Sequence, residues 1–207
     1  CLEIGPGDSI ATGIVAHSFG ATKTYLVDVG DYVIKDLNYY KKFIECLKEN
    51  NIKTLDISNI SSFDELLKKF NILYLKKGIL SLKKIPSSSV DFIFSHSAIE
   101  HIRLYELPII INESHRLLSK AGRISHNIDL MDHLNYSLNS LRFSEKIWEG
   151  QLFANSGFYT NRLRYSQIIL LFENSGFNLI YKDYGVWNTI PVEQEYLHKS
   201  FQKLNKE

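Results

Sequence analysis

"CLEIGPGDS", residues 1–9, is the stretch on which the reading of this chain turns. Its first four residues are an apolar run interrupted only by Glu3, and Gly5-Pro6-Gly7 ends it. That is the pattern of a buried strand running into a glycine turn. Glycines at such a turn reach backbone conformations that other residues avoid, and they let the main chain approach a ligand closely. A helix entered directly afterwards points its first N–H groups at that ligand, and residues 14–19 supply small and apolar side chains for it. The dinucleotide fingerprint GxGxxG requires a third glycine where this chain has Ile10, which weakens a nicotinamide reading. Taken alone, the turn fits a ligand cradle and a plain strand-to-helix connector equally well.

Working outward, β-forming apolar runs recur at 1–4, 25–27, 71–75, 90–95 and 123–128. Helical patterns separate most of them. Tyr40, Phe43, Ile44 and Leu47 mark one face of a helix over 39–48. Ser62 with Glu65 three residues on predicts a capped helix over 62–70. Pro108 opens a helix over 107–118, and Gly122 is expected to stop it. Strands alternating with helices predict an α/β, Rossmann-like, doubly wound and mostly parallel sheet with helices on both faces. From Asp132 to Arg164 the chain is polar and aromatic without a period. The reading is one domain over 1–207 with an acceptor-side insertion at 132–164. A helix over 166–175, a strand over 177–184 and a helix over 193–204 follow.

The 207 residues include 44% hydrophobic and 23% charged side chains, enough for one packed core. A formal net charge of +1 gives no electrostatic argument for nucleic acid or an anionic membrane. No apolar run reaches about 18 residues, so no membrane span is expected. The two cysteines, Cys1 and Cys46, form no CxxC, and no signal peptide is visible, so a reducing, cytoplasmic setting is expected. The chain opens on an apolar strand without an initiator Met, which suggests a fragment truncated at its ends.

Asp28 closes the second apolar run, where an acid can accept both ribose hydroxyls of a nucleoside. "SVDFIFSHSAIEHI", residues 89–102, reads as a buried strand, a polar tip and a short helix ending in Glu100-His101. Together these segments resemble the class I S-adenosylmethionine-dependent methyltransferases over roughly residues 1–128. "LEIGPGDS" is similar to the family's ExGxG motif, residues 89–102 to its fourth-strand segment with an EH pair, and "INESHRLLSKAGRI" to the helix, turn and fifth strand that follow. The resemblance implies S-adenosyl-L-methionine as cofactor. It implies cofactor contacts from Glu3, Gly5, Pro6, Gly7, Asp28, Ser95 and His96. The acid that often meets the adenine has no counterpart, and Gly78 or Ser81 and Leu82 stand in that region. Ser9 replaces a third glycine, "SKAG" replaces the usual turn, and no seventh strand is evident.

In that fold the acceptor lies over the carboxyl ends of the fourth and fifth strands. His96, Glu100 and His101 follow the fourth. His126, Asp129, Asp132 and His133 crowd the region after the fifth. A histidine oriented by a carboxylate suits removal of a hydroxyl proton, so the catalytic candidates are His126, Asp129, His133 and His101, with His126 preferred. The same residue types can hold a divalent metal, but no spacing here is diagnostic and no metal is assigned. "GFYTNRLRYS", residues 157–166, offers Arg162 and Arg164 to an anionic group and Tyr159 for stacking, or simply for pairing and packing; Trp148 and Phe153 read as a lid or as core. The expected activity is methyl transfer to a small-molecule or glycan-type acceptor, at oxygen. The alternatives are an NAD(P)-dependent oxidoreductase or epimerase and a non-catalytic module of the same fold.

Overall fold

The computed structural model describes residues 1–203. Five strands form one sheet: β1 (Leu2–Ile4), β2 (Thr24–Val27), β3 (Ile72–Leu75), β4 (Val90–His96) and β5 (Leu118–Asn127). Their order is β3-β2-β1-β4-β5. The pairs β1–β2, β1–β4 and β2–β3 are parallel, with Glu3 opposite Leu26 and Phe94. At the β4–β5 pair, Ser89 N–H donates to Leu117 O and Ser97 N–H to Asn127 O, so the register advances in one direction there too. The expected parallel α/β sheet is therefore present. Strand order reverses at β1, and open α/β sheets bind ligands outside the carboxyl ends of the strands at such a point.

The chain divides into two compact units: Cys1–His96 with Arg116–His126, and Ser97–His115 with the described residues from Asn127 onward. The first unit packs around one continuous core. Ile10, Ile14, Leu26, Tyr40, Leu66 and Phe70 are buried within it. Its helices are α1 (Ala11–Ser18), α2 (Leu37–Glu49), α3 (Phe63–Lys69) and α4 (Ile79–Leu82). The periodicity placed α2 and α3 within a few residues. Asp36 caps α2 by accepting the Asn38 N–H, and Ser62 caps α3 by accepting the Glu65 N–H. The Glu65 carboxylate returns the bond to the N–H of Ser61, one residue before the cap. α1 begins three residues earlier than the small-residue run indicated, directly after the glycine turn.

The second unit has two clusters, one around Ile99, Leu107 and Ile111 and one around Trp148, Ala154 and Tyr159. Helix α5 (Leu107–Leu117) passes directly into β5. Gly122 is thus inside the strand, not a helix stop. The terminal α5 carbonyls of Arg116 and Leu117 are satisfied by Ser88 and Ser89 N–H groups, so no glycine cap is needed. Gly122 instead permits close packing, since a Cβ there would stand 2.7 Å from Leu118 Cγ. Within 132–164, Asp132 bridges Ser137, and the short turns α6 (Glu145–Trp148) and α7 (Gln151–Ala154) follow. Helix α8 (Tyr165–Asn174) matches the pattern read over 166–175.

Two further expectations fail. Residues 177–184 form no strand: Leu179, Ile180, Tyr181 and Tyr184 are exposed and find no ladder partner. β propensity makes a strand only beside another strand. Residues 193–204 form no helix beyond a single 3₁₀ turn, Gln194–Tyr196, and Leu204 lies outside the described residues.

Candidate functional site

In the first unit, β1 delivers the chain into the turn with Gly5 at φ 71° and Gly7 at φ 67°. Both are in the left-handed region, which a side chain disfavours. Gly5 N–H donates to Val27 O, which ties the turn to the end of β2. Gly7 N–H donates to Asp28 Oδ2 (3.2 Å), and Val29 N–H to Asp28 Oδ1 (2.7 Å). Asp28 is 9% exposed. Its carboxylate is thus fixed at the end of β2 by two main-chain donors, each oxygen keeping further lone-pair capacity. A Cβ built at Gly7 meets nothing within 4 Å, so the space above it is open on the protein's side.

Glu3 is nearly fully buried and accepts a hydrogen bond from the Thr12 hydroxyl of α1. Burial raises its pKa to about 7, the Thr12 bond opposes the shift, and the neighbouring Asp28 charge adds to it. Gly78, at φ 47°, donates its N–H to Asp28 O (2.8 Å), so its backbone adjoins the same strand end. Ser81 accepts the Lys77 N–H through its hydroxyl, and both Ser81 and Leu82 are buried. Ile10 is fully buried in the first core. A core isoleucine thus fills the position where a dinucleotide fold needs its third glycine.

At the ends of β4 and β5, Ser95 Oγ lies 2.7 Å from His126 Nδ1. Burial lowers the pKa of His126 to about 4, which makes the imidazole a weak proton acceptor at neutral pH. His96 is exposed. A groove of the first unit, about 850 Å³, runs past Val15, Phe19, Phe92 and Phe94 and includes none of Gly5, Gly7 or Asp28.

In the second unit, the Glu100-His101 turn is held from three sides. Asn161 N–H donates to Glu100 O (2.7 Å), and the Asn161 amide donates to Ile99 O (2.8 Å) and Ile102 O (3.2 Å). His101 Nδ1 lies 2.7 Å from Tyr159 O, and its ring meets His133 edge to face at 4.9 Å between centroids. Asp129 N–H donates to Glu100 Oε1 (3.3 Å), while Glu100 Oε2 is buried without a protein partner. Burial raises the pKa of Glu100. The structure thus groups His101, His133 and the Asp129 backbone around Glu100, whereas His126 belongs to the first unit and pairs with Ser95. Asp132 is a buried turn clamp, accepting Leu134 and Ser140 N–H groups.

The aromatic cluster is core. Trp148 is fully buried, and its indole N–H donates to Thr160 O (2.7 Å). Arg162 donates to Ser140 O and Phe143 O and lies over the Trp148 and Phe201 rings. Asn161 and the Tyr159 carbonyl, which shape the histidine turn, escaped the sequence reading. Their bonds go to or from the main chain and leave no spacing to detect. Among the described residues, no three His, Cys, Asp or Glu side chains gather as a metal site. No helix there is long and apolar enough to cross a membrane.

The parallel sheet in this order is a Rossmann-like fold shared with a solved O-methyltransferase family protein. An O-methyltransferase family protein from Burkholderia thailandensis superposes with a TM-score of 0.51 at 10% identity, over 88% of this chain and 47% of that one. An arsenic (III) S-adenosylmethionine methyltransferase from Chlamydomonas reinhardtii gives 0.49 at 17% identity, over 84% and 50%. The YcgJ protein from Bacillus subtilis gives 0.49 at 16%, over 91% and 64%. The chain spans about half the length of the first two. No protein-family model and no curated protein sequence matches it.

Proposed function

We propose that this chain is an S-adenosylmethionine-dependent methyltransferase domain acting on a small-molecule or glycan-type acceptor at oxygen. The observation that carries the reading is the turn itself: two left-handed glycines, open space above Gly7, and the Asp28 carboxylate locked beside them. Such a cradle suits a nucleoside with a charged tail. Asp28 keeps lone pairs for ribose hydroxyls, and the Gly5–Gly7 main chain passes close to the methionyl part. Pro6 restricts the turn between them. Gly78 offers its backbone on the adenine side. Ser81 and Leu82, being buried, shape that wall by packing. Glu3 braces the start of α1 through Thr12, and Ser95 and His96 mark the end of β4. S-adenosylmethionine, when bound, supplies the methyl group and the sulfonium leaving group. The chain then has to align the acceptor and remove its proton, for which His126, Asp129, His133 and His101 are the candidates. The oxygen preference draws support from those histidines.

The buried Ile10 disfavours a nicotinamide enzyme. Calorimetric titration with S-adenosylhomocysteine and with NAD tests the choice. Binding of the former alone is expected, and Asp28→Ala should weaken it by about 1.5–3 kcal/mol, as for hydrogen bonds to a charged group. Absent binding, or preference for NAD, overturns the reading. Unchanged affinity in Asp28→Ala with the fold intact overturns the role of Asp28.

A further inference from the structure

Tyr40 occupies one position on the apolar face of α2, and its ring is fully buried in the first core, tilted against Phe63 at 5.9 Å between centroids. Its hydroxyl has a separate task. The O–H donates to Ile34 O (2.6 Å), and the same oxygen accepts Ile10 N–H (3.4 Å). Ile34 lies in the loop that leaves β2 through Asp28. Ile10 stands at the entry of α1, directly after the Gly5–Gly7 turn. One phenol oxygen thus joins the two loops of the cradle. The same loops meet twice more, where Gly7 N–H donates to Asp28 Oδ2 (3.2 Å) and Ile34 N–H to Asp8 O (2.7 Å).

We infer that Tyr40 is a positioning residue for the nucleoside cradle: from inside the core, its hydroxyl holds the glycine turn and the Asp28 loop in the geometry that receives the ligand. The inference rests on the cofactor reading of that cradle and deepens it. All the residues involved belong to the first unit. Loops already held in the receiving geometry spare the ligand the cost of ordering them.

The chemistry of a phenol suits this place. The Ile34 carbonyl lies in irregular chain and needs a donor. The entry of α1 needs an acceptor, because Ile10 at the N-cap position has no side-chain acceptor of its own, and Ser9 Oγ covers only the Ala11 N–H. A hydroxyl donates once and accepts as well, so one oxygen answers both needs. Burial raises the Tyr40 pKa, which keeps the donor proton in place at neutral pH. A phenylalanine would fill the same volume and complete the same apolar face, yet leave a carbonyl and an N–H without a partner. Tyr74 supplies the contrast. Its hydroxyl donates to Gly30 O (2.9 Å) and accepts Tyr32 N–H (3.0 Å), both in the loop after β2, so it orders that loop without joining it to the glycine turn.

The test compares two substitutions on α2 of the full chain. Tyr40→Phe keeps the ring and removes only the oxygen. Its affinity for S-adenosylhomocysteine, measured by calorimetry, should fall about 10-fold, the equivalent of one hydrogen bond. Native-state amide exchange should quicken at Gly7, Ile10 and Ile34 together, beyond what the fall in its urea midpoint accounts for. Ile44→Val, one turn further along the helix in the same core, lowers the urea midpoint through lost packing. It should bind as the parent does, and its exchange at those three amides should follow the midpoint alone. Parent-like affinity in Tyr40→Phe overturns the inference, and so does an equal loss in Ile44→Val. Faster exchange at Ile10 alone also overturns it, because the hydroxyl would then cap α1 without holding the second loop. Failure of the parent chain to bind S-adenosylhomocysteine overturns the cradle reading and this inference with it, whereas a binding parent with an unaffected Tyr40→Phe overturns the inference alone.

Discussion

In the first unit, Ile10, Ile14, Leu26, Tyr40, Leu66 and Phe70 close on one another as a single core, and the sheet ladder and helices satisfy most main-chain groups internally. In the second unit, buried polar side chains reach out to individual carbonyls: Trp148 to Thr160, Asn161 to Ile99 and Ile102, and Arg162 to Ser140 and Phe143. The first arrangement tolerates any apolar side chain of suitable volume. The second requires a particular donor at a particular place, because an unpaired buried carbonyl is costly. Regular elements make their hydrogen bonds locally, whereas irregular chain must borrow donors from distant side chains.

The strongest way to break this comparison is at Trp148. Trp148→Ala should lose about 3–5 kcal/mol, the cost of removing a large aromatic from a packed core. Trp148→Phe keeps most of the volume and removes only the indole donor, and should still cost about 1–3 kcal/mol because Thr160 O is orphaned. Urea denaturation measures both. If Trp148→Phe is neutral, the second unit is held by apolar packing like the first.

Glu3 and His126 sharpen it through pH. The folded pKa of Glu3 is raised from 4.5 to about 7, so its contribution is fully present below 4.5 and disappears as pH rises through 7, a change of about 3 kcal/mol. The folded pKa of His126 is lowered from 6.5 to about 4, so its contribution is present above 6.5 and disappears as pH falls through 4. The two slopes oppose each other between about 4.5 and 6.5. Glu3→Gln should therefore leave stability rising with pH across that window, and His126→Gln should leave it falling. Urea midpoints at several pH values read the slopes directly. Parallel profiles in parent and variants would show that neither group titrates as its burial implies.

The smallest effect is expected at Ser62, the cap of α3. Ser62→Ala should cost about 0.5–2 kcal/mol, the usual loss at a helix N-cap, again read by urea denaturation. A neutral result would show that Glu65, bonded to Ser61, holds that helix end alone.

How far the sequence was readable follows the same division. Helices α2 and α3 announced themselves through apolar spacing and a cap. β1 and its turn did so through a run ending in Gly5-Pro6-Gly7, and the acid at the end of β2 was visible as Asp28. These are local signals, fixed by backbone conformation and by which face of an element is apolar. The segment over 177–184 carried the same kind of local signal and formed no strand, because propensity cannot supply the neighbouring ladder. Gly122 looked like a stop and proved to be a close-packing position against Leu118.

The sequence favours His126 over His133 because it lies nearest the strand end. It does not show the buried environment that holds His126 near pKa 4, nor the Tyr159 carbonyl, 58 residues away in the chain, that meets His101 Nδ1. The sequence by itself determined the strand-turn-helix opening, the parallel α/β class and the acid beside the glycine turn, since each depends on neighbours a few positions apart. Tertiary structure alone decided the meeting of His101 with the Tyr159 carbonyl, the burial of Glu3 and Glu100, and the work of Asn161. Those depend on which main-chain groups distant segments bring within 3 Å, and a carbonyl is the same in every residue.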